Sequence, residues 1–202
     1  MEYFSRFYRV TALDFLGFGQ SAPLIEAFSV GDYAEWTAEA LRALGVEKPH
    51  LIAHSFGCRV AVKMASQTPN AFDKMLLTGP AGVIIGRGFG YKIKVKTYRL
   101  VKKVAPKFAK RKFGSKEYRA LSPVMQESYK KIVNEDLRAC AQGVQNEVLL
   151  VEGTRDSVTT MAEARAYEKA FPRARLQTLD GGHFAFAENP VLFNLLAEEF
   201  FV

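Results

Sequence analysis

Cysteine is nearly absent from this 202-residue chain, which has only Cys58 and Cys140. Two thiols make no disulfide framework, and neither stands in a metal-ligand spacing. Cys58 lies in an apolar helical context, which suits a buried, inert thiol. No apolar run approaches the ~18 residues needed to span a bilayer. The first ten residues hold aromatics and two arginines but no apolar signal core. These absences lead us to expect a cytoplasmic protein without a membrane span. Hydrophobic residues make up 49% and charged residues 24%, which excludes disorder and collagen-like repeats. A chain of this size fits one domain with an insertion.

Acidic residues are scarce in one stretch. Between Arg87 and Lys131 there are 15 lysines and arginines but only Glu117 and Glu127, a local charge of 15 − 2 = +13. The whole chain carries 28 − 21 = +7, so the remainder carries 13 − 19 = −6. The protein reads as a mildly acidic body with one basic segment, the pattern of an insertion.

Strand and helix patterns alternate along the body. Residues 8–15 read as a buried strand, followed by a turn-rich loop, Leu16 to Ser21. Helical spacing runs from Val30 to Leu44, with Ser29 or Asp32 as its cap. Residues 50–53 are a short strand, and a helix follows from about Cys58 to Gln67. Further strands are expected at 74–78, 147–151 and 175–179. Further helices are expected at 161–171 and from Pro190, with Asn189 as cap. Such alternation predicts an α/β fold, a mostly parallel sheet flanked by helices. Function in such folds gathers at the carboxyl ends of the strands. Ser55, Asp156 and His183 stand at three of those ends.

The three residue types make a coherent set. A serine hydroxyl is a weak nucleophile until a base takes its proton, and the base needs an orienting group. Histidine titrates near neutrality, so His183 suits the base. Asp156 suits the orienting carboxylate. Ser55 stands between a strand and a helix, in Ala53-His54-Ser55-Phe56-Gly57. A sharp turn there would lift its side chain clear and aim the Phe56 N–H at a developing oxyanion. Bland readings stand beside these. Ser55 also fits a helix N-cap, and Asp156 a cap for the helix near Thr160. Glu152 competes as the acid, since it lies at the strand end itself. His183 also fits a loop histidine bonded to backbone. Asp14 suits fixing its own turn. His50 and His54 read as structural, with strand alternation pointing His54 away from Ser55.

These motifs resemble the α/β-hydrolase family. Ala53 to Gly57 resembles the nucleophile elbow G-x-S-x-G, with alanine for the first glycine. Asp14 to Ser21 resembles the D-x-x-G-x-G-x-S loop, and Gly153-Thr-Arg-Asp156 and Gly182-His183-Phe184 resemble the acid and histidine loops. The resemblance implies a serine hydrolase cleaving an ester or related acyl bond of a small molecule. Ser55, Asp156 and His183 would be catalytic, and Phe56 would serve the oxyanion hole. No cofactor, metal or nucleic acid is implied. It also implies three parts: a core over 1–81, a basic helical lid over 82–145 and a second core part over 146–202. Residues 95–109 are amphipathic, interrupted at Pro106, and suit an anionic substrate, an anionic membrane surface or a plain solvated face. One departure is large. The family's H-G loop supplies a second oxyanion donor, and this chain has no His-Gly pair. If the family topology holds, the chain begins after its own central strand, an N-terminally truncated form. The alternative readings are a catalytically impaired hydrolase-fold protein, or a binding module using the basic lid on an anionic partner.

Overall fold

The computed structural model describes residues 2–86 and 116–202. Among the described residues four strands form one parallel sheet in chain order: β1 (Leu51–His54), β2 (Met75–Thr78), β3 (Val148–Gly153) and β4 (Ala174–Leu179). The register pairs Leu51 with Met75, Met75 with Val148 and Val148 with Ala174. Each crossover passes through helix: α2 (Phe56–Gln67) joins β1 to β2, and α6 (Met161–Ala170) joins β3 to β4. Helix α1 (Val30–Ala43) precedes the sheet. The β2–β3 connection contains α3 (Lys116–Ala120), α4 (Pro123–Val133) and α5 (Arg138–Gly143). Two helices close the chain, α7 (Ala185–Glu188) and α8 (Pro190–Phe201).

Strands β2 and β3 are buried along their whole length, so they read as unbroken apolar runs. Their alternate residues feed two cores. Met75, Leu77, Val148 and Leu150 pack with α1, α2 and α5 on one face. Leu76, Leu149 and Val151 meet Phe193, Ala197 and Phe200 of α8 on the other. Full burial of one such side chain is worth about 2 kcal/mol. Lys74 Nζ donates to the Phe200 carbonyl at 2.8 Å, satisfying an end of α8 that lacks its own donors.

The helix starts follow local chemistry. Ser29 caps α1 in a reciprocal box with Asp32, and Thr160 caps α6 in the same way with Glu163. Asn189 does not cap α8; its side-chain amide donates instead to the Asp180 carbonyl. The buried Arg59 of α2 donates to the carbonyls of Ile132 (3.0 Å) and Glu135 (2.9 Å), and Lys63 pairs with Glu135 at 2.8 Å. These contacts fasten the end of α4 to the helix that follows Ser55.

One expected strand does not form. Residues 9–15 carry no sheet pairing, and Tyr8 and Val10 are each 39% exposed. A strand needs a neighbour for its N–H and C=O groups. Strand β1 ends the sheet and pairs only with β2 among the described residues, leaving Ile52 40% exposed. Only Phe15 from this stretch enters the main core. The amphipathic residues 95–109, with Pro106, lie outside the described residues. No helix among the described residues is long and apolar enough to cross a membrane.

Candidate active site

The turn after β1 is built on a strained residue. Ser55 has φ 49° and ψ −109°, in the half of backbone space where a side chain is penalised. The strain is held from both sides: Ser55 N donates to Thr78 O at 3.1 Å, and Cys58 N donates to Ser55 O at 3.0 Å. A side chain on Gly57 would meet only the Ala53 Cβ, at 3.7 Å, so alanine at position 53 is accommodated. Helix α2 starts at Phe56, two residues before the sequence expectation. Ser55 occupies the cap position, yet its hydroxyl makes no capping bond. That hydroxyl lies 2.9 Å from His183 Nε2 instead.

His183 stands in the loop after β4, and its other ring nitrogen, Nδ1, is 2.7 Å from Asp156 Oδ2. The three residues thus form one continuous hydrogen-bond chain from Ser55 through His183 to Asp156, drawn from three strand ends. Asp156 does not cap α6. Its Oδ1 accepts from the N–H groups of Val158 (2.7 Å) and Thr159 (3.0 Å), and its Oδ2 also accepts from the Thr159 hydroxyl (2.8 Å). The Asp156 side chain is fully buried. Burial works to raise its pKa, but the bonds from His183, Val158 and Thr159 outweigh it and the net shift is downward. Asp156 is therefore a carboxylate at neutral pH.

Glu152, the competing acid, is enclosed at the end of β3. Burial first, and then the nearby Asp156, push its carboxyl up to about 8. At neutral pH it is an uncharged acid, and His183 Nδ1 faces Asp156 instead. Cys58 is buried, with its thiol 3.3 Å from Ala53 O, and burial pushes the thiol pKa far up. It is no nucleophile at neutral pH.

Two groups at the site escaped the sequence reading. Thr159 braces Asp156 and lies 3.3 Å from His183 Nδ1. A hydroxyl residue three positions after the aspartate was the available signal. The second is His54. Alternation puts it on the far side from Ser55, but its ring lies 4.7 Å from that of His183 and 5.0 Å from those of Phe184 and Phe186. Alternation holds only inside a strand, and the chain turns sharply at Ser55. Burial and the neighbouring His183 depress the His54 pKa, so its ring is neutral, with Nδ1 3.1 Å from Thr78 O. His50 lies elsewhere, stacked on Phe201 at 4.9 Å.

Phe56 is the first residue of α2, so its N–H has no partner in the helix ladder. Its ring is held by Tyr33 at 5.0 Å, Phe15 at 5.4 Å and Phe18 at 5.7 Å. The Tyr33 hydroxyl donates to Leu16 O at 3.1 Å, tying in the preceding loop. Asp14 closes that loop by accepting from Gln20 N at 2.9 Å. Gly19 is required there, because a Cβ would fall 2.2 Å from the Asp14 carboxylate. Among the described residues no group of histidine, cysteine and carboxylate side chains could hold a metal ion.

Residues 1–94 match the family model of the alpha/beta hydrolase fold. The chain is 29% identical, over 95% of its length, to the dihydrolipoyllysine-residue acetyltransferase component of the acetoin cleaving system of Cupriavidus necator, and spans 56% of that protein. It is 26% identical to the 2-hydroxymuconate semialdehyde hydrolase of Pseudomonas putida, covering 95% of this chain and 76% of that protein. Among solved structures, a meta-cleavage product hydrolase from Pseudomonas fluorescens superposes with a TM-score of 0.73 at 22% identity, covering 99% of this chain and 82% of the other. An esterase from Exiguobacterium antarcticum gives 0.71 at 19% identity, covering 94% and 80%. A parallel sheet with Ser55, Asp156 and His183 at its carboxyl edge is the architecture of the α/β-hydrolase class. The chain shares the α/β-hydrolase fold with these structures, and its relatives include several hydrolases.

Proposed function

We propose that this protein is a serine hydrolase that cleaves an ester or related acyl bond through a covalent acyl-enzyme. The observation that carries the reading is the unbroken chain from Ser55 Oγ to His183 at 2.9 Å and from His183 to Asp156 at 2.7 Å. His183 Nε2 takes the hydroxyl proton as Ser55 Oγ bonds to the substrate carbonyl carbon. The carbonyl oxygen becomes an oxyanion and accepts from the Phe56 N–H. Asp156 holds the Nδ1–H tautomer and stabilises the imidazolium. The imidazolium then protonates the leaving group as the bond to it breaks. Water, deprotonated by the same Nε2, releases the acid and restores Ser55. A fluorophosphonate probe tests this, since it phosphonylates only an activated serine. Wild type should label at Ser55, and Ser55→Ala should not label while melting as wild type does. An unlabelled, folded wild type sinks the reading.

The substrate class we propose is a small molecule bearing a carboxylate. Support comes from the +13 charge of residues 87–131. It comes also from the names of relatives such as the 2-hydroxy-6-oxononadienedioate hydrolase of a Pseudomonas species, 32% identical over 76 residues. A strongly basic segment raises the encounter rate of anions with the chain that carries it and loses that advantage in salt. Changing Lys102, Lys103, Lys110, Arg111 and Lys112 together to glutamine should lower kcat/KM for a carboxylate-bearing p-nitrophenyl ester by roughly tenfold at low salt. A neutral ester should be turned over as before. Equal kcat/KM for both esters in wild type and variant would count against the anionic substrate.

A further inference from the structure

Glu152 is fully buried, and the reaction scheme gives it no part. Gly153 N donates to one of its carboxyl oxygens at 3.2 Å, and the carboxyl also meets the side chain of Asp156. The titratable groups that face it are Asp156 from the following loop, Glu163 of α6 and the thiol of Cys58 in α2. Its register neighbour on β4 is the uncharged Thr178. No counter-charge is among these neighbours. A carboxyl enclosed beside a carboxylate cannot ionise at its ordinary pKa, since two like charges would share one low-dielectric space. A glutamine or an aliphatic residue would fill the same place at less cost to folding. A buried acid of this kind, next to the carboxylate that faces His183, is the sort of group that gathers at functional sites.

We propose that Glu152 is a positioning residue that acts on His183 through Asp156, as a fully buried acid enclosed beside the carboxylate that holds the imidazole. The proposal rests on the serine-hydrolase reading. With Glu152 protonated, the pair's single charge stays on Asp156, whose Oδ2 faces His183. When Glu152 gives up its proton to solvent, a second negative charge stands behind Asp156. That charge favours the imidazolium formed as Ser55 attacks, so the attack accelerates.

Two measurements on Glu152→Gln test this. The first is the fluorophosphonate labelling rate against pH. Wild type should show a second rise centred near pH 8, where Glu152 ionises. Glu152→Gln should lack that rise, labelling within about twofold of wild type at pH 6.5 and roughly threefold to tenfold slower at pH 9.5. A wild-type profile in the variant, or an equal loss at every pH, would overturn the proposal. The second measurement is the melting temperature, which needs no activity. The carboxyl pKa is about 8 in the fold against an ordinary 4.5. Between those values the folded state holds a proton that the unfolded state has released. Wild-type stability, measured against the glutamine variant, therefore falls as pH rises from about 4.5 to about 8 and is level above. Glu152→Gln should melt higher than wild type by at least about 3 °C at pH 8, with the gap closing towards pH 4.5. In the Asp156→Asn background the gap should shrink, because the neighbouring charge is gone. A gap that ignores pH overturns the acid pair. If wild type fails to label but the pH-dependent gap appears, the nucleophile reading has failed and the acid pair stands.

Discussion

Asp156→Asn is expected to lower kcat/KM for an ester substrate by about 10⁴-fold while leaving the fold intact, on the scale typical of a triad carboxylate. The size follows from how the carboxylate is bonded. Oδ1 accepts from two backbone N–H groups, those of Val158 and Thr159, which cannot turn away. The carbonyl oxygen of an asparagine must take that place. Its amide NH₂ then falls where Oδ2 stood, facing the Thr159 hydroxyl and His183 Nδ1. The hydroxyl rotates and becomes an acceptor. The imidazole has no such freedom: Nδ1 must accept, so its proton moves to Nε2, the atom facing Ser55 Oγ. A base that already carries a proton on the facing nitrogen cannot take another from serine. Steady-state kinetics and the fluorophosphonate labelling rate should fall together, with a melting temperature within a few degrees of wild type. A loss below about tenfold would show that Asp156 does not set the tautomer of His183.

Gly153→Ala is expected to destabilise the protein by about 3 kcal/mol, at the upper end for a single overpacked methyl, and to abolish labelling of Ser55. Gly153 closes β3, and the backbone of the histidine loop crosses it directly. A Cβ at this position would lie 2.2 Å from Gly182 O and 2.8 Å from Gly181 O. Both obstacles are main chain, so no rotamer change relieves them. The two loops must part, and they carry Asp156 and His183. The bonds that join them run from Thr154 N to Leu179 O and from Arg155 N to Gly181 O, each at 2.8 Å. Forcing them apart breaks the link from Asp156 to His183 along with the packing. Chemical denaturation and labelling should both report the loss. An alanine variant with wild-type stability and labelling would show that the loops are not in contact in solution. Gly57→Ala makes a useful control, because its Cβ meets nothing closer than 3.7 Å.

Much of this arrangement is written in local patterns. Strands β2 and β3 are short apolar runs, and the structure moves their expected ends by two residues or fewer. The boxes Ser29 with Asp32 and Thr160 with Glu163 mark two helix starts by side-chain chemistry alone. Gly19 and Asp14 close their turn through contacts made within the turn itself. The strand expected at residues 8–15 shows the boundary of such reasoning. Its residue pattern is that of a strand, but a strand is completed by a neighbour's N–H and C=O groups, which no pattern within it supplies. His54 shows the same limit, since alternation stops where the chain turns at Ser55.

The sequence by itself determined that the chain alternates strand and helix, that Ser55, Asp156 and His183 fall at strand ends in that order, and that the excess of positive charge lies in one segment. Those are properties of neighbouring residues, so periodicity and spacing carry them. Only the tertiary structure decided that Asp156 rather than Glu152 faces His183. The two acids stand four positions apart, Glu152 within β3 and Asp156 in the loop that follows it. Burial then removes the charge from Glu152, while hydrogen bonds from Val158, Thr159 and His183 keep it on Asp156. Which of two carboxyls is ionised depends on the solvent and donors around each, and these are assembled from β3, α6 and the histidine loop only when the chain folds.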